Sequence, residues 1–428
     1  MKPLLIITYY WPPSGGPGVQ RWLKWVKYLP SLGVEPIVLT VDPGLATYPL
    51  KDNSLLKEVP VGLKVFYTAT REPFGIYQKI FRKKLIPYSG FANEDKEEGL
   101  LTRFVRFIRG NLFIPDARKG WNKCLVPEAV RIIKEYNIQN FVTTSPPHST
   151  QLAGLKIKKQ MPQLHWIADL RDPWTDIFYY DKMYHLPFVR KVDLSMEKKV
   201  LHKADRITTV SYFLKDLFSK KMQGKIDQKI HVVTNGFDPE DFAMKTFSPS
   251  GNKLFTITYT GTLNADYDLN GFAKAIMKMT DENRYIEMRF VGSISPRWQK
   301  EFQLLLKNHL NIMDHVDHGQ AIQYMVGADL LLLVIPRIKN NEGIVTGKIF
   351  EYIASGNPVL GIGPVEGDAA GILHDSGAGK MFDYNDHESI FQFISDCQTG
   401  KVHYKFDNEK IKYWSRPYQL QKWVGLLK

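Results

Sequence analysis

Short unbroken apolar runs alternate along this chain with longer stretches in which apolar residues recur every three or four positions. The runs at 4–10, 36–41, 64–68, 140–144, 165–169, 206–210 and 231–234 are too short for helices, and most lead into a helical pattern of about a dozen residues. Runs without alternation are expected of strands covered on both faces, so the series predicts a parallel sheet wound with crossover helices. A second series at 255–259, 287–291, 330–335, 358–362 and 379–382 predicts another. The fold class is therefore α/β, with two Rossmann-like doubly wound domains. Between the series, Asn235-Gly-Phe-Asp-Pro-Glu-Asp-Phe242 and Ser248-Pro-Ser-Gly-Asn252 are rich in turn formers. The linker is placed at 241–252 and the domains at 1–240 and 253–407. Aromatic and basic residues at near-helical spacing over 413–427 predict a terminal helix, and 408–428 is expected to join the first domain. Two such domains are expected to face a central cleft, because open α/β sheets bind ligands beyond the carboxyl ends of their strands.

Composition narrows the class. With 44% hydrophobic and 24% charged residues among 428, disorder is excluded. The two cysteines, Cys124 and Cys397, cannot build a zinc ribbon or a disulfide framework, which fits a reducing cytosol. Both long apolar runs, 4–11 and 328–335, fall well short of the ~18 residues that a membrane span needs. Pro12-Pro13 directly after the first run, with no small-residue cleavage site, argues against a signal peptide. The net charge of +13 favours an anionic partner, whether nucleic acid, a phosphorylated small molecule or an anionic membrane surface. The segments 77–86 and 102–109 interleave aromatics with Lys and Arg, so a possible anionic membrane surface is placed at 77–109, against the alternative of a solvated helix face. Neither segment is an RNA-binding motif, and no nucleic-acid partner is expected.

The strongest chemical signal is Thr346-Gly-Lys-Ile-Phe-Glu351-Tyr-Ile-Ala-Ser-Gly356-Asn-Pro358. It predicts a short helix stopped by Gly356 and followed by a buried strand. A helix start offers free N–H groups and partial positive charge, so Thr346 and Gly347 can hold a phosphate while Lys348 adds a full charge. Glu351 lies three residues on, within reach of the same face, and can accept hydrogen bonds from a pair of ribose hydroxyls. The alternative is an ordinary solvent-facing Lys and Glu.

Three other loops follow predicted strands. Ser14-Gly-Gly16-Pro-Gly18 leads into a helix, and its glycines allow close backbone approach to a ligand. Gly16-Pro-Gly18 with Asp42 also partly matches a nicotinamide-dinucleotide fingerprint, but Arg21 occupies the third glycine position. Ser145-Pro-Pro-His148 and Asp169-Leu-Arg171-Asp172 bring His148, Arg171 and Asp172 to strand ends, as hydrogen-bonding or proton-accepting groups or as structural ones. No metal site is expected: His315-Val-Asp-His318 lacks a fourth partner, and Asp266-Tyr-Asp268 is read as a chance spelling.

Together these motifs resemble the retaining glycosyltransferases of family 4. The resemblance rests on Tyr9-Tyr-Trp-Pro-Pro-Ser-Gly-Gly-Pro-Gly-Val-Gln-Arg21, Asn235-Gly-Phe-Asp238, Tyr259-Thr-Gly-Thr262 and Lys348-Ile-Phe-Glu-Tyr352. It implies the two-domain GT-B fold and transfer of a sugar from a nucleoside-diphosphate sugar, with no other cofactor. The acceptor would be a glycan or lipid-linked hydroxyl, in capsule, lipopolysaccharide or exopolysaccharide synthesis, on a cytoplasmic enzyme that can lie peripherally on the membrane. Gly16, Gly18, Gly261, Thr262, Arg337, Thr346, Gly347, Lys348 and Glu351 are then expected at the donor. Ser14, Arg21 and Arg171 are expected on the acceptor side, with Lys348, Glu342, His148 and Asp172 in catalysis. Two departures stand out: eight residues separate Glu342 from Glu351 where the family commonly has seven, and 260–270 holds neither Arg nor Lys. Lys348 and Arg337 would have to supply the charge at the diphosphate. The alternatives are a non-catalytic protein that binds sugar nucleotides or glycans, and an NAD-dependent oxidoreductase using the front glycine loop.

Overall fold

The computed structural model describes residues 1–72, 100–243, 254–314, 316–401 and 407–428. They form two compact units, Met1–Thr234 with Leu420–Lys428, and Asn235–Gln419.

The first unit holds seven parallel strands: β1 (Lys2–Ile7), β2 (Val34–Val41), β3 (Lys64–Thr68), β4 (Asn140–Ser145), β5 (His165–Leu170), β6 (Arg206–Thr209) and β7 (Ile230–Val232). Their order is β3-β2-β1-β4-β5-β6-β7. The last four residues of β1 are all buried because both sheet faces are covered. Leu5 and Ile7 pack with Trp121, Leu125 and Ile132 on one face. Leu4 and Ile6 pack with Trp22, Trp25 and Val26 on the other. Each such side chain contributes about 1.5–3 kcal/mol through burial.

The Pro17–Tyr28 helix starts with proline in its first turn and turns Trp22 and Trp25 inward. Trp423 from the end of the chain closes this cluster, 5.2 Å from Trp22 between ring centroids. The tail therefore enters the first unit at Leu420. Earlier in it, the Asn408–Tyr413 helix stays with the second unit, where Trp414 lies 6.0 Å from Phe350.

The second unit orders its strands β10-β9-β8-β11-β12-β13. They are β8 (Phe255–Thr260), β9 (Ile286–Val291), β10 (Leu310–Met313), β11 (Leu330–Val334), β12 (Val359–Ile362) and β13 (Gly379–Phe382). β10 has no counterpart among the expected strands: it is four residues long, half-buried and at the sheet edge, so it leaves little apolar signal. The division between units also falls earlier than the expected 240. Phe237 and Phe242 are buried together in the second core, so the turn-rich segment from Asn235 belongs to that unit. Most of the expected linker, from 244 on, lies outside the described residues.

Candidate functional site

In the second unit the strand order turns between β8 and β11, where crossovers leave in opposite directions and open sheets accept ligands. The turn after β8 carries Gly261 at φ +103, a conformation glycine adopts readily, and Thr262; both are exposed. A side chain at Gly261 would meet Lys348 Nζ at 3.2 Å. That ammonium donates to Tyr259 Oη at 2.8 Å and lies 4.2 Å from the ring centroid. The Tyr259 hydroxyl in turn donates to the Thr262 carbonyl at 2.8 Å. Burial holds the Tyr259 phenol neutral by raising its pKa well above the ordinary value. Burial also lowers the Lys348 pKa to about 8, with Glu351 opposing the shift. A cation held against a neutral phenol keeps its charge for an incoming anion.

Lys348 opens the helix Gly347–Ser355, which ends at Gly356 in the left-handed conformation, as the spacing predicts. The Tyr352 hydroxyl, accepting from the Thr260 N–H at 3.0 Å, ties this helix to the end of β8. Thr346 precedes it in an extended conformation and makes no side-chain cap. Its Oγ1 is buried without a hydrogen-bond partner among the described residues. A Cβ at Gly347 would meet nothing within 4 Å. The helix head thus combines the Gly347 and Lys348 N–H groups and the Thr346 hydroxyl, none of them hydrogen-bonded to a described residue, with open space and an ammonium, which is the equipment of an anion site.

One turn on, the Glu351 side chain is 18% exposed, and His318 Nε2 lies 3.9 Å from its Oε1. Burial raises the Glu351 pKa, and the charge of His318 is the largest influence opposing it. The carboxylate makes no hydrogen bond to a described residue and can accept from a diol. Glu342 is exposed on the short turn Asn341–Gly343. Arg337, expected at the diphosphate, instead donates to Asp268 Oδ2 at 2.9 Å and stacks 5.3 Å above Tyr384. Asp268, read from sequence as half of a chance Asp-x-Asp, neutralises that guanidinium.

The first unit has its own switch between β1 and β4. Arg171 ties the loops there, donating from Nε to the Ser145 carbonyl and from Nη2 to the Gly18 carbonyl, both at 3.0 Å. A side chain at Gly18 would press on the Tyr10 ring at 3.1 Å, and Gly16 takes φ +84 to start the following helix. His148 occupies the N-cap position of the Ser149–Gln160 helix without a side-chain capping bond and stacks on Trp174, 5.1 Å between centroids and 12° between planes. Trp174 is itself held by Asp193 Oδ1 at 2.9 Å. Burial, helped by the charge of Lys221, lowers the His148 pKa to about 3, so the ring is neutral, and its Nδ1 is buried without a partner among the described residues. The Asp172 pKa is raised by burial against the pull of Arg171, and its carboxyl makes no hydrogen bond to a described residue.

Two residues expected on the acceptor side, Arg21 and Ser14, are instead buried. Arg21 is 2% exposed: Nη2 lies 3.4 Å from Asp169 Oδ1, Nη1 donates to the Val233 carbonyl at 2.9 Å, and the guanidinium covers Trp25 at 4.1 Å. A cation at that depth needs a fixed counter-charge, so Arg21 is a structural group. Ser14 is also fully buried, in a turn where its N–H donates to the Trp11 carbonyl at 2.9 Å.

Four residues escaped the sequence reading. Tyr259 and Asp169 lie inside motifs that drew attention for their neighbours. Trp174 carries no signal beyond its place after a strand. In sequence His318 stands out only beside His315, which lies outside the described residues, and no three His, Cys, Asp or Glu among the described residues are placed to hold a metal. The 77–86 segment also lies outside them.

Comparison with known proteins fits this architecture. A Bacillus subtilis (strain 168) protein named as a teichuronic acid biosynthesis glycosyltransferase, TuaH, is 24% identical over 259 residues, 56% of this chain and 62% of that protein. The match thus spans less than two thirds of the relative's length. Among solved structures, a glycosyltransferase from Rickettsia africae ESF-5 superposes with a TM-score of 0.62 at 16% identity, covering 99% of this chain and 97% of that one. Anabaena Alr3699/HepE in complex with UDP gives 0.58 at 13% identity, covering 100% and 97%. These likenesses establish the GT-B fold. The description Glycosyltransferase Family 4 matches residues 18–241, more than half of the sequence, and the chain belongs to that family.

Proposed function

We propose that this protein transfers a sugar, with retention of anomeric configuration, from a nucleoside-diphosphate sugar to a glycan or lipid-linked hydroxyl in the assembly of a bacterial surface polysaccharide. The observation that carries the reading is the unpaired head of the Gly347–Ser355 helix, with the Lys348 ammonium beside it and Glu351 one turn on. The helix N–H groups and Lys348 would hold the diphosphate, and Glu351 the ribose. The family membership and the UDP bound by HepE support a nucleotide-sugar donor, and the name of TuaH, which assigns that protein to teichuronic acid biosynthesis, supports a polysaccharide as product.

Breaking the glycosidic bond builds negative charge on the leaving diphosphate. Lys348 and the fixed backbone dipoles would stabilise it without having to reorganise, which is electrostatic preorganisation. On the acceptor side, the neutral His148 ring would hydrogen-bond a sugar. Asp172, its carboxyl shifted toward protonation by burial, would take the proton of the attacking hydroxyl.

Peripheral docking on the cytoplasmic face of the membrane is part of the same reading. It is supported by Phe104 and Phe107 of the Leu100–Leu112 helix, 58% and 37% exposed beside Arg103. Flotation with anionic vesicles tests that part.

Thermal-shift measurements with UDP, GDP and their sugar conjugates test the donor, because a ligand that favours the folded state raises the melting temperature. Glu351→Ala is expected to weaken nucleotide binding, and Lys348→Ala to slow transfer. Unchanged donor turnover in both variants would remove the assignment.

A further inference from the structure

The Glu351 carboxylate sits in a small charged constellation within the second unit. His318 begins the helix His318–Val326, and Asp241 lies in the short turn Pro239–Phe242 that precedes β8. His318 Nε2 is 3.1 Å from Asp241 Oδ2 and 3.9 Å from Glu351 Oε1. A carboxylate only accepts, so Nε2 donates its hydrogen to Asp241, and Glu351 is an electrostatic neighbour beyond hydrogen-bond distance. Of the other charged groups acting on Glu351, Asp241 adds to the upward shift of its pKa, and Arg416 and Lys348 oppose it less than His318 does. Lys348 is engaged with Tyr259. The Arg416 guanidinium faces Asp238, with Nη1 3.9 Å from Oδ2.

We infer that His318, anchored by Asp241, is a positioning residue for Glu351 and thereby sets the preference of the site for ribose over deoxyribose. The inference rests on the reading of Glu351 as the ribose acceptor. A half-buried carboxylate with no hydrogen bond of its own is drawn toward the protonated state and toward alternative rotamers. A protonated imidazole held 3.9 Å away by Asp241 opposes that shift electrostatically and favours the ionised carboxylate, which can accept from the two ribose hydroxyls together. Removing that imidazole leaves the nucleotide's phosphate contacts in place and loosens the hydroxyl contacts alone. The signature is a change in discrimination rather than a general loss of affinity.

The test compares the affinities of UDP and 2′-deoxy-UDP, or of GDP and 2′-deoxy-GDP, whichever pair the intact wild-type chain binds. The wild-type protein is expected to prefer the ribonucleotide by roughly tenfold or more, since a site built to pair a hydroxyl rejects the analogue lacking it. His318→Leu should collapse the ratio to within about twofold while leaving deoxynucleotide affinity near the wild-type value. Equal weakening toward both nucleotides in His318→Leu, or a ratio as in wild type, overturns the inference. Glu351→Ala separates the two layers: a collapsed ratio there with a normal one in His318→Leu sinks only the role of His318, whereas a normal ratio in Glu351→Ala sinks the ribose reading itself. Should His318→Leu fail to fold, Asp241→Ala decides, because it removes the acceptor that anchors the imidazole and must lower the ratio if the imidazole positions the carboxylate.

Discussion

The two units share a strand grammar and a switch point, and each leaves some polar groups there without hydrogen-bond partners among the described residues, His148 Nδ1 and Asp172 in the first and Thr346 and Glu351 in the second. They differ in how the charges nearest the strand ends are paired. At the sheet ends of the first unit, the charges close on one another. Asp169 accepts from Trp22 Nε1 at 3.2 Å and from Thr144 and Thr208 at 2.8 Å, and faces Arg21, while Arg171 is bound to two loop carbonyls. In the second unit, the head of the Gly347–Ser355 helix is left open, with the Thr346 hydroxyl unpaired and Glu351 free of hydrogen bonds to described residues. A buried polar group without a partner costs about 1–3 kcal/mol. A fold that leaves several together holds them ready for a ligand, and one that pairs them gains rigidity. Charge at a strand end is therefore not a signal of function until its partners are known.

The sharpest way to break this contrast is to remove a closed group. Asp169→Ala strands Arg21 without its counter-charge, and stability to urea should fall by about 3–5 kcal/mol. A loss below about 1 kcal/mol would mean that the first unit is not closed as described. Next comes an open group: Lys348→Ala should lower kcat by roughly 10²–10³-fold with little change in melting temperature, as for the loss of one charge-stabilising donor. A melting temperature that drops with the rate would place Lys348 among the structural charges.

A smaller effect follows from its titration. Because burial lowers the Lys348 pKa to about 8 from an ordinary 10.5, kcat/KM should decline as pH rises through about 8, and Lys348→Ala should lack that limb. The sign for stability is the reverse. Between about 8 and 10.5 the unfolded chain binds more protons at this position than the folded one, so the ligand-free fold gains stability as pH rises. The smallest effect is expected at Arg337, whose exposed pair with Asp268 contributes about 0–1 kcal/mol. Arg337→Ala should leave nucleotide affinity within about twofold, and a larger loss would return that guanidinium to the donor site.

Much of the architecture was legible from periodicity. Twelve apolar runs mark strands of the two sheets because a strand covered on both faces has no polar side to hide it. β10 escaped because an edge strand of four half-buried residues needs little apolar content. The helix at Gly347–Ser355 was readable down to its stop at Gly356, since only a local turn has to be satisfied there. The unit boundary was harder: Asn235-Gly-Phe-Asp-Pro has the composition of a linker, and only the burial of Phe237 against Phe242 assigns it to the second core.

Local sequence thus determined which segments become strands and helices, and which chemistry stands at their ends. Partner choice was settled by tertiary structure alone. Arg21, Arg171, Arg337 and Lys348 are the same kind of signal in one dimension, a cation near a strand end. Burial and counter-charge make the first a strut, the second a loop tie and the third half of a surface pair, and leave the fourth facing a phenol. Electrostatic interactions depend on distance in space and on local burial, and neither follows from residue order.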